Sequence, residues 1–554
     1  MPQTDSPLPS STPFSSDRQV SHSITSPSPT LNLQRKFSSA SSVQNTPGST
    51  SGPSALLSNA DVEKECVRLY FQNLHLIHPI LDQTDFIAQC ETEIWARDLT
   101  VEGHRSAPTS KFLALFNAVL AIGAINAGDD AVFMRDMATI RQMERFAGSD
   151  QRAPAYPPLK LAKLFFERAK YNLGDVTEAC SLENTQTLLL MTVFCQNALK
   201  PHSCYLYSGL AVRSALAIGL PNTEGLDAVQ ASMLWWNLYS FEIEMCASAG
   251  RESALREPEH YRLRLPHILV PEDPKQQFTS HMVALARIMA QLSDEIYKFN
   301  DQRSLREKSH ECLDLDKQLV IWKSQLPLSL DFDQSSLVEP EWVSKQKIVL
   351  RNRFLNAKIL LHRPFLIASA NESDQALYTV HVHACVAASV DTIQSLYEMY
   401  KYRPYFRTWW YNTTYTLYAS MILLYVVLTN TLAVDRQYAI QAVEKSLEIF
   451  NAMNMVGVAR RCADITTEVL AMAKKSTIEG HGESSSASVP VAEGFVPPSL
   501  APGAVENQFD FDLSAENPYA SLVDPNIMDG FAEFQTGFFD MPDFNSVLME
   551  GSFT

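Results

Sequence analysis

"LWWNLYSFEIEMCASAGR", residues 234–251, opens with two adjacent tryptophans, continues as an almost unbroken apolar run and closes on Gly-Arg. On a helix, Leu234, Leu238, Phe241 and Met245 form one stripe, and Trp235, Tyr239, Glu242, Cys246 and Ala249 form the neighbouring one. The two stripes cover most of the circumference, which places this helix at the centre of a core. Glu242 falls among apolar neighbours, where a carboxylate without a partner costs several kcal/mol. The pattern therefore predicts a compensating cation, with Arg251 or Arg213 as candidates, and a lower melting temperature for Glu242→Ala.

Outward from this stretch, from about Asp61 to Lys475, apolar residues recur at three and four residue spacing. The stretches "KFLALFNAVLAIGAINAG" (111–128), "LKLAKLFFERAKYNLG" (159–174), "SLENTQTLLLMTVFCQNAL" (181–199), "LYSGLAVRSALAIGLP" (206–221) and "SHMVALARIMAQLSDEIYKF" (280–299) each read as a helix bounded by Gly, Pro or a capping residue. Ser181 is the predicted N-cap of the third, without the Glu or Gln of a full capping box. No fixed-period repeat runs through the chain, so a strict solenoid is not indicated. The fold class is all-α.

Residues Thr408–Val434 carry no charge before Asp435, long enough to span a bilayer. The strongly apolar centre, Leu417–Leu428, is only about half a span and is flanked by Asn412, Thr413, Thr414, Thr429 and Asn430. A buried core helix is the expectation, and no membrane association.

The flanks differ in composition. Residues 1–58 are rich in Ser, Thr and Pro with few large apolar groups, a composition that cannot offset the entropy of ordering. Their Ser-Pro and Thr-Pro pairs read as ordinary linker composition. Residues 476–554 hold thirteen carboxylates and no Lys or Arg, and so supply most of the net charge of −17. There Phe509, Phe511, Tyr519, Phe531, Phe534, Phe538, Phe539 and Phe544 alternate with Asp and Glu. Mutual repulsion keeps such a chain open, so that each ring can enter a partner's groove as the segment folds on binding. Acidic aromatic segments of this kind are what transcriptional activation regions look like, with coactivators as partners. The same acidity gives no support to direct contact with a nucleic acid backbone.

The nine cysteines are scattered and no CxxC pair occurs, the usage of reduced thiols in a cytosolic or nuclear protein. The N-terminus has neither a basic start nor an apolar stretch, so no secretory signal is read there. Phosphate loop, GxSxG elbow and HExxH signatures do not occur. Asp129, Asp130 and Asp136 resemble the magnesium-binding aspartates of prenyl-transfer enzymes, but Phe133 stands where an acid is required. His381 and His383 lie two apart and point to different helix faces, making them poor joint ligands. His75 and His78 have no third ligand beside them. Catalytic residues, metal ligands and cofactors are accordingly expected to be none.

The opening stretch resembles the signature of the fungal-specific transcription factor domain, the middle homology region of fungal zinc-cluster regulators. Trp235, Trp236, Tyr239, Glu242, Gly250 and Arg251 fall on its recurring positions. "LYFQNLHLIHPILDQTDF" (69–86) resembles the domain's opening and "GLAVRSALAIGL" (209–220) the segment before the Trp pair. "LHRPFL" (361–366), with His362, Arg363 and Pro364, closes its middle and reads as a packing and turn motif. The resemblance covers roughly 60–475. Ile243 and Glu252 depart from the family's Arg and Pro, and "ASM" stands where basic residues precede the Trp pair. The family normally carries a six-cysteine, two-zinc DNA-binding cluster. Residues 1–65 contain no cysteine and only Arg18, Arg35, Lys36 and Lys64 as basic residues.

The resemblance implies a nuclear transcription regulator organised as a disordered arm (1–58), a helical regulatory domain (59–475) and an acidic activation tail (476–554). Without cysteines in 1–65 to form the cluster, no direct DNA binding by this chain is expected. DNA is then reached as a homodimer or heterodimer, through a partner carrying the zinc cluster, or through a cluster missing from this sequence. A small-molecule inducer is a further implied partner. The alternative is a helical metabolite-binding or interaction protein outside transcription, with a helical enzyme as the weakest reading.

Overall fold

The computed structural model describes residues 59–95, 109–127 and 157–479, less short stretches at 177, 179, 225–227, 270–272, 299–301, 335–338, 372–374, 404–405, 407, 410, 430–434 and 454–456. Expectations for 1–58, for the aspartates at 129–136 and for the tail phenylalanines lie outside the described residues. Among the described residues every regular element is helical.

The first helices are α1 (Asn59–Gln72), α2 (Gln83–Gln89), α3 (Ser110–Ile125), α4 (Pro157–Leu173), α5 (Leu182–Asn197) and α6 (Pro201–Ala217). The Trp-Trp stretch forms α7 (Ala228–Ala249), followed by α8 (Pro274–Ile296) and α9 (Leu305–Ser324). The C-terminal set is α10 (Glu341–Asn371), α11 (Gln375–Tyr402), α12 (Asn412–Leu428), α13 (Arg436–Ala452) and α14 (Gly457–Glu479). Neighbours pack pairwise, α3 on α4, α5 on α6, α10 on α11, and α12 on α11 and α13. The central α7 lies between α6 and α8.

Side-chain caps set several starts. Thr109 accepts from the Phe112 N–H and Ser181 from the Asn184 N–H, which relieves orphan donors of the first turn. A full capping box occurs instead at Ser304 and Glu307. Gly250 ends α7 in the left-handed region at φ +62°, and the Arg251 N–H reaches back 2.9 Å to the Cys246 carbonyl. This six-to-one bond is the reason for a terminal Gly-Arg: the turn needs a residue without Cβ.

The core follows the sequence pattern closely at α7, where every residue from Ala231 to Cys246 is buried. Trp235, Trp236 and Tyr239 surround Tyr261 edge to face, with the nearest centroids 4.8 Å apart. The Trp236 indole N–H and the Ser232 hydroxyl both donate to the Arg264 carbonyl, at 2.9 and 2.8 Å. Each fully buried large side chain contributes about 1.5–3 kcal/mol, so this cluster anchors the loop after α7. Where α1 crosses α3 the approach is so close that a Cβ on Gly123 would lie 1.9 Å from the Cys66 carbonyl oxygen.

Two expectations for the core need correction. Glu242 is buried at 4% exposure, as expected, but its partners are the Ser208 hydroxyl and the Cys246 thiol. Arg213 and Arg251 point to solvent. The cation went elsewhere, because Glu244, two residues on, faces the side of α7 that α10 approaches. "LHRPFL" is a packing motif but not a turn: Pro364 sits inside α10. The charge-free stretch does form the buried helix α12, and no helix of the described residues is long and apolar enough to cross a membrane.

Candidate functional site

The turn between α5 and α6 is built unusually. Leu199 has φ +57°, the only non-glycine residue of the described chain in the left-handed region. It takes the position that a glycine normally fills at a helix end, and the Lys200 N–H bonds the Cys195 carbonyl at 2.8 Å. That conformation costs about 1–2 kcal/mol in an L-residue. Burial of the Leu199 side chain at 4% exposure offsets it.

Leu199 thereby lines a cavity of about 60 Å³. One wall is the α5–α6 turn with Lys200, the opposite wall Tyr411, Thr414 and Tyr415 at the start of α12, and the floor Glu244 and Ser248 of α7. At roughly 10–15 Å³ for each water, the space admits a cluster of waters or a small organic group of a few heavy atoms.

The floor is charged. Glu244 Oε1 accepts from the Tyr415 hydroxyl at 2.7 Å, and Oε2 meets Arg353 Nη2 of α10 at 2.5 Å. Both side chains are almost fully buried, so neither charge is screened by water. Burial, reinforced by the Glu244 charge, raises the Tyr415 phenol well above its ordinary range, so it stays a donor. Burial likewise raises the thiol of Cys204 beside the cavity, which leaves no nucleophilic thiolate there. The arrangement is suited to binding rather than to covalent chemistry.

A second polar set fixes the segment after α1. Lys345 of α10, at 1% side-chain exposure, reaches Asn73 Oδ1 at 2.6 Å and the Gln72 carbonyl at 3.0 Å, and also pairs with Glu341. Gln346 donates to the Leu76 carbonyl at 3.0 Å, and Gln186 of α5 to that of Ile80 at 2.9 Å. Between these ties His75 and His78 are buried, and burial first, with Lys275 near His75 and Arg353 near His78, holds each imidazole down at about 3. These contacts hold the segment 69–86 in place: its carbonyls are acceptors for distant side chains.

Residues 67–332 match the model of the fungal specific transcription factor domain. That stretch is similar to the regulatory domain of fungal transcription factors. A transcriptional regulatory protein of Schizosaccharomyces pombe is 23% identical over 356 residues, covering 61% of this chain and 44% of that protein. Activator of stress genes 1 of Saccharomyces cerevisiae is 25% identical over 289 residues, 47% of this chain and 29% of the relative. Transcription factor FBD3 of Fusarium pseudograminearum is 23% identical over 308 residues, 47% of this chain and 40% of the relative. The chain thus aligns with less than half the length of these relatives.

The fungal specific transcription factor domain, as matched, contains the Trp-Trp helix and ends before "LHRPFL". Structurally it does not end there, since Arg353, Lys345 and Tyr415 lie beyond residue 332 and complete both polar sets. Of the motif residues singled out in the sequence, Trp235, Trp236, Tyr239, Gly250 and Arg251 build the core and stop of α7, while Glu242 is bonded within it. His362, Arg363 and Pro364 lie on α10, with the Arg363 guanidinium over the Tyr297 ring at 5.5 Å. Sequence reasoning missed Glu244 and Arg353. Glu244 stands beside Glu242 and Arg353 beside Asn352 and Arg351, so neither stands out, and nothing in the spacing pairs residues more than a hundred positions apart.

Proposed function

We propose that this protein is a nuclear regulator of RNA polymerase II transcription in a fungus, an activator and not an enzyme. Its helical domain responds to a small molecule entering the cavity above Glu244, and its acidic aromatic tail recruits coactivator. The observation that carries the regulatory reading is the match of residues 67–332 to a transcription factor domain in a chain aligned with three named regulators. The cavity supports the sensing role: Glu244 ties α7 to α10 through the Arg353 ion pair and to α12 through the Tyr415 hydroxyl, so an occupant there bears on three helices together. Promoters are reached through a dimer partner carrying a zinc cluster, or through such a cluster on a longer form of the protein.

The test is reporter output from the full chain tethered to a heterologous DNA-binding domain. Activation that falls when Phe509, Phe511, Phe531, Phe534, Phe538, Phe539 and Phe544 are changed together to Ala supports the reading. Activation that persists without the rings removes the tail's role, and no activation in either form removes the activator. The sensing role is tested by a small-molecule thermal-shift screen of wild type against Ser248→Phe, which fills the cavity; a hit shared by both does not bind there.

A further inference from the structure

Three side chains from three helices converge on one point among α9, α10 and α11. Cys312, His362 and His381 are 0, 0 and 1% exposed. Cys312 Sγ lies 3.4 Å from Nδ1 of His362 and 3.4 Å from Nδ1 of His381, and the two Nδ1 atoms are 2.9 Å apart. An ion held about 2.0–2.1 Å from nitrogen and about 2.3 Å from sulfur at tetrahedral angles has edges of about 3.3 and 3.6 Å between its donors. The observed triangle differs from that by a few tenths of an ångström.

The outward nitrogens orient the rings. Asp316 Oδ1 faces His362 Nε2 at 3.4 Å and is itself paired with Lys358 Nζ at 2.8 Å. A carboxylate there keeps the His362 proton on Nε2, so the Nδ1 lone pair points at the centre. Ser309 Oγ lies 2.8 Å from His381 Nε2 and can fix the second ring in the same tautomer. Two lone pairs and a sulfur facing one another repel unless a cation or a proton lies between them.

We propose that Cys312, His362 and His381 form a buried metal site with two nitrogen donors and one sulfur donor, for one closed-shell thiophilic ion, zinc(II) or copper(I). A thiolate with two imidazoles selects such ions over magnesium or calcium, which require oxygen. On binding, a sulfur–metal bond replaces the S–H bond and the thiol proton is released to solvent. Since each ligand comes from a different helix, the ion clasps α9, α10 and α11 together, and its role is structural or regulatory. The ligands are separate from any six-cysteine cluster.

Purified full chain is incubated with zinc(II), with copper(I) under reductant in a second arm, and with cobalt(II) as a spectroscopic probe in a third; loose metal is removed and bound metal assayed. Wild type and Cys385→Ser, a change in another buried thiol, retain one equivalent more than Cys312→Ser, and cobalt shows sulfur-to-metal charge-transfer absorption. The arm that retains the ion more tightly distinguishes zinc from copper. Asp316→Asn, at a partly exposed position, weakens affinity about 10–100-fold. No retention by wild type in any arm, or equal retention by Cys312→Ser, overturns the site and makes the cluster a proton-sharing one. Should Cys312→Ser fail to fold, a missing thiolate band in the wild-type cobalt spectrum, or unchanged affinity in Asp316→Asn, overturns it equally.

Discussion

The Tyr297 hydroxyl donates to the Leu360 carbonyl at 2.5 Å, and that carbonyl has no helical donor, because Pro364, four positions on, carries no N–H. The ring of Tyr297 also lies under Arg363. The motif "HRPF" therefore works by leaving one carbonyl open inside α10 for the side chain that follows α8 to claim. Tyr297→Phe is expected to lower unfolding free energy by about 1 kcal/mol. In the Pro364→Ala background, where the helix supplies its own donor, the loss shrinks; urea denaturation of the four chains forms the double-mutant cycle that checks this.

The Glu244–Arg353 pair predicts an asymmetry. Arg353→Met leaves a buried carboxylate with only the Tyr415 hydroxyl and costs about 3–5 kcal/mol, whereas replacing both partners by apolar residues of similar volume costs far less. Equilibrium denaturation of the single and double variants tests it. Equal costs would mean that packing, not charge, governs the cavity floor.

Glycines at three positions respond in three ways. Gly123→Ala forces α1 away from α3 and is expected to cost 1–3 kcal/mol or more, on the order of a core overpacking. Gly250→Ala strains a left-handed residue by about 1 kcal/mol. Gly209→Ala, where a Cβ meets nothing within 4 Å in the middle of α6, gains about 0.5–1 kcal/mol. Thermal melts of the three order them.

Acid stability follows from His75 and His78. Both are neutral in the folded state until about pH 3, whereas in the unfolded chain they titrate near the ordinary value of 6.5. Below about 6.5 the unfolded state binds more protons, so stability present above that pH is lost on acidification, by as much as roughly 1.4 kcal/mol per pH unit for each histidine. The melting temperature should fall between pH 6.5 and 4.5, and fall less steeply in His78→Gln. A flat profile over that window would place these imidazoles in water.

What could be read in the sequence is what local chemistry dictates. The apolar stripes of α7, the Ser181 cap and the buried nature of α12 depend on residues within a few turns of one another. The partner of a buried charge does not: the sequence offers Arg251 or Arg213 for Glu242, whereas the buried cation, Arg353, comes from α10 and pairs with Glu244. His381 was set aside as a ligand because its neighbour His383 faces away, which it does, yet its partners lie on α9 and α10. The left-handed Leu199 had no sequence signature, since glycine is what that turn ordinarily selects.

The tie from Lys345 to Gln72 spans 273 residues of chain. During synthesis at ~5–20 residues per second, the segment from Gln72 to Leu76 emerges roughly 14–55 s before the helix whose Lys345 and Gln346 satisfy the Gln72 and Leu76 carbonyls. Over that interval those two carbonyls have only water as a donor. The nascent protein is therefore a natural client for chaperones until α10 leaves the ribosome, and a message cut short after residue 332 would yield a product held permanently in that unfinished condition.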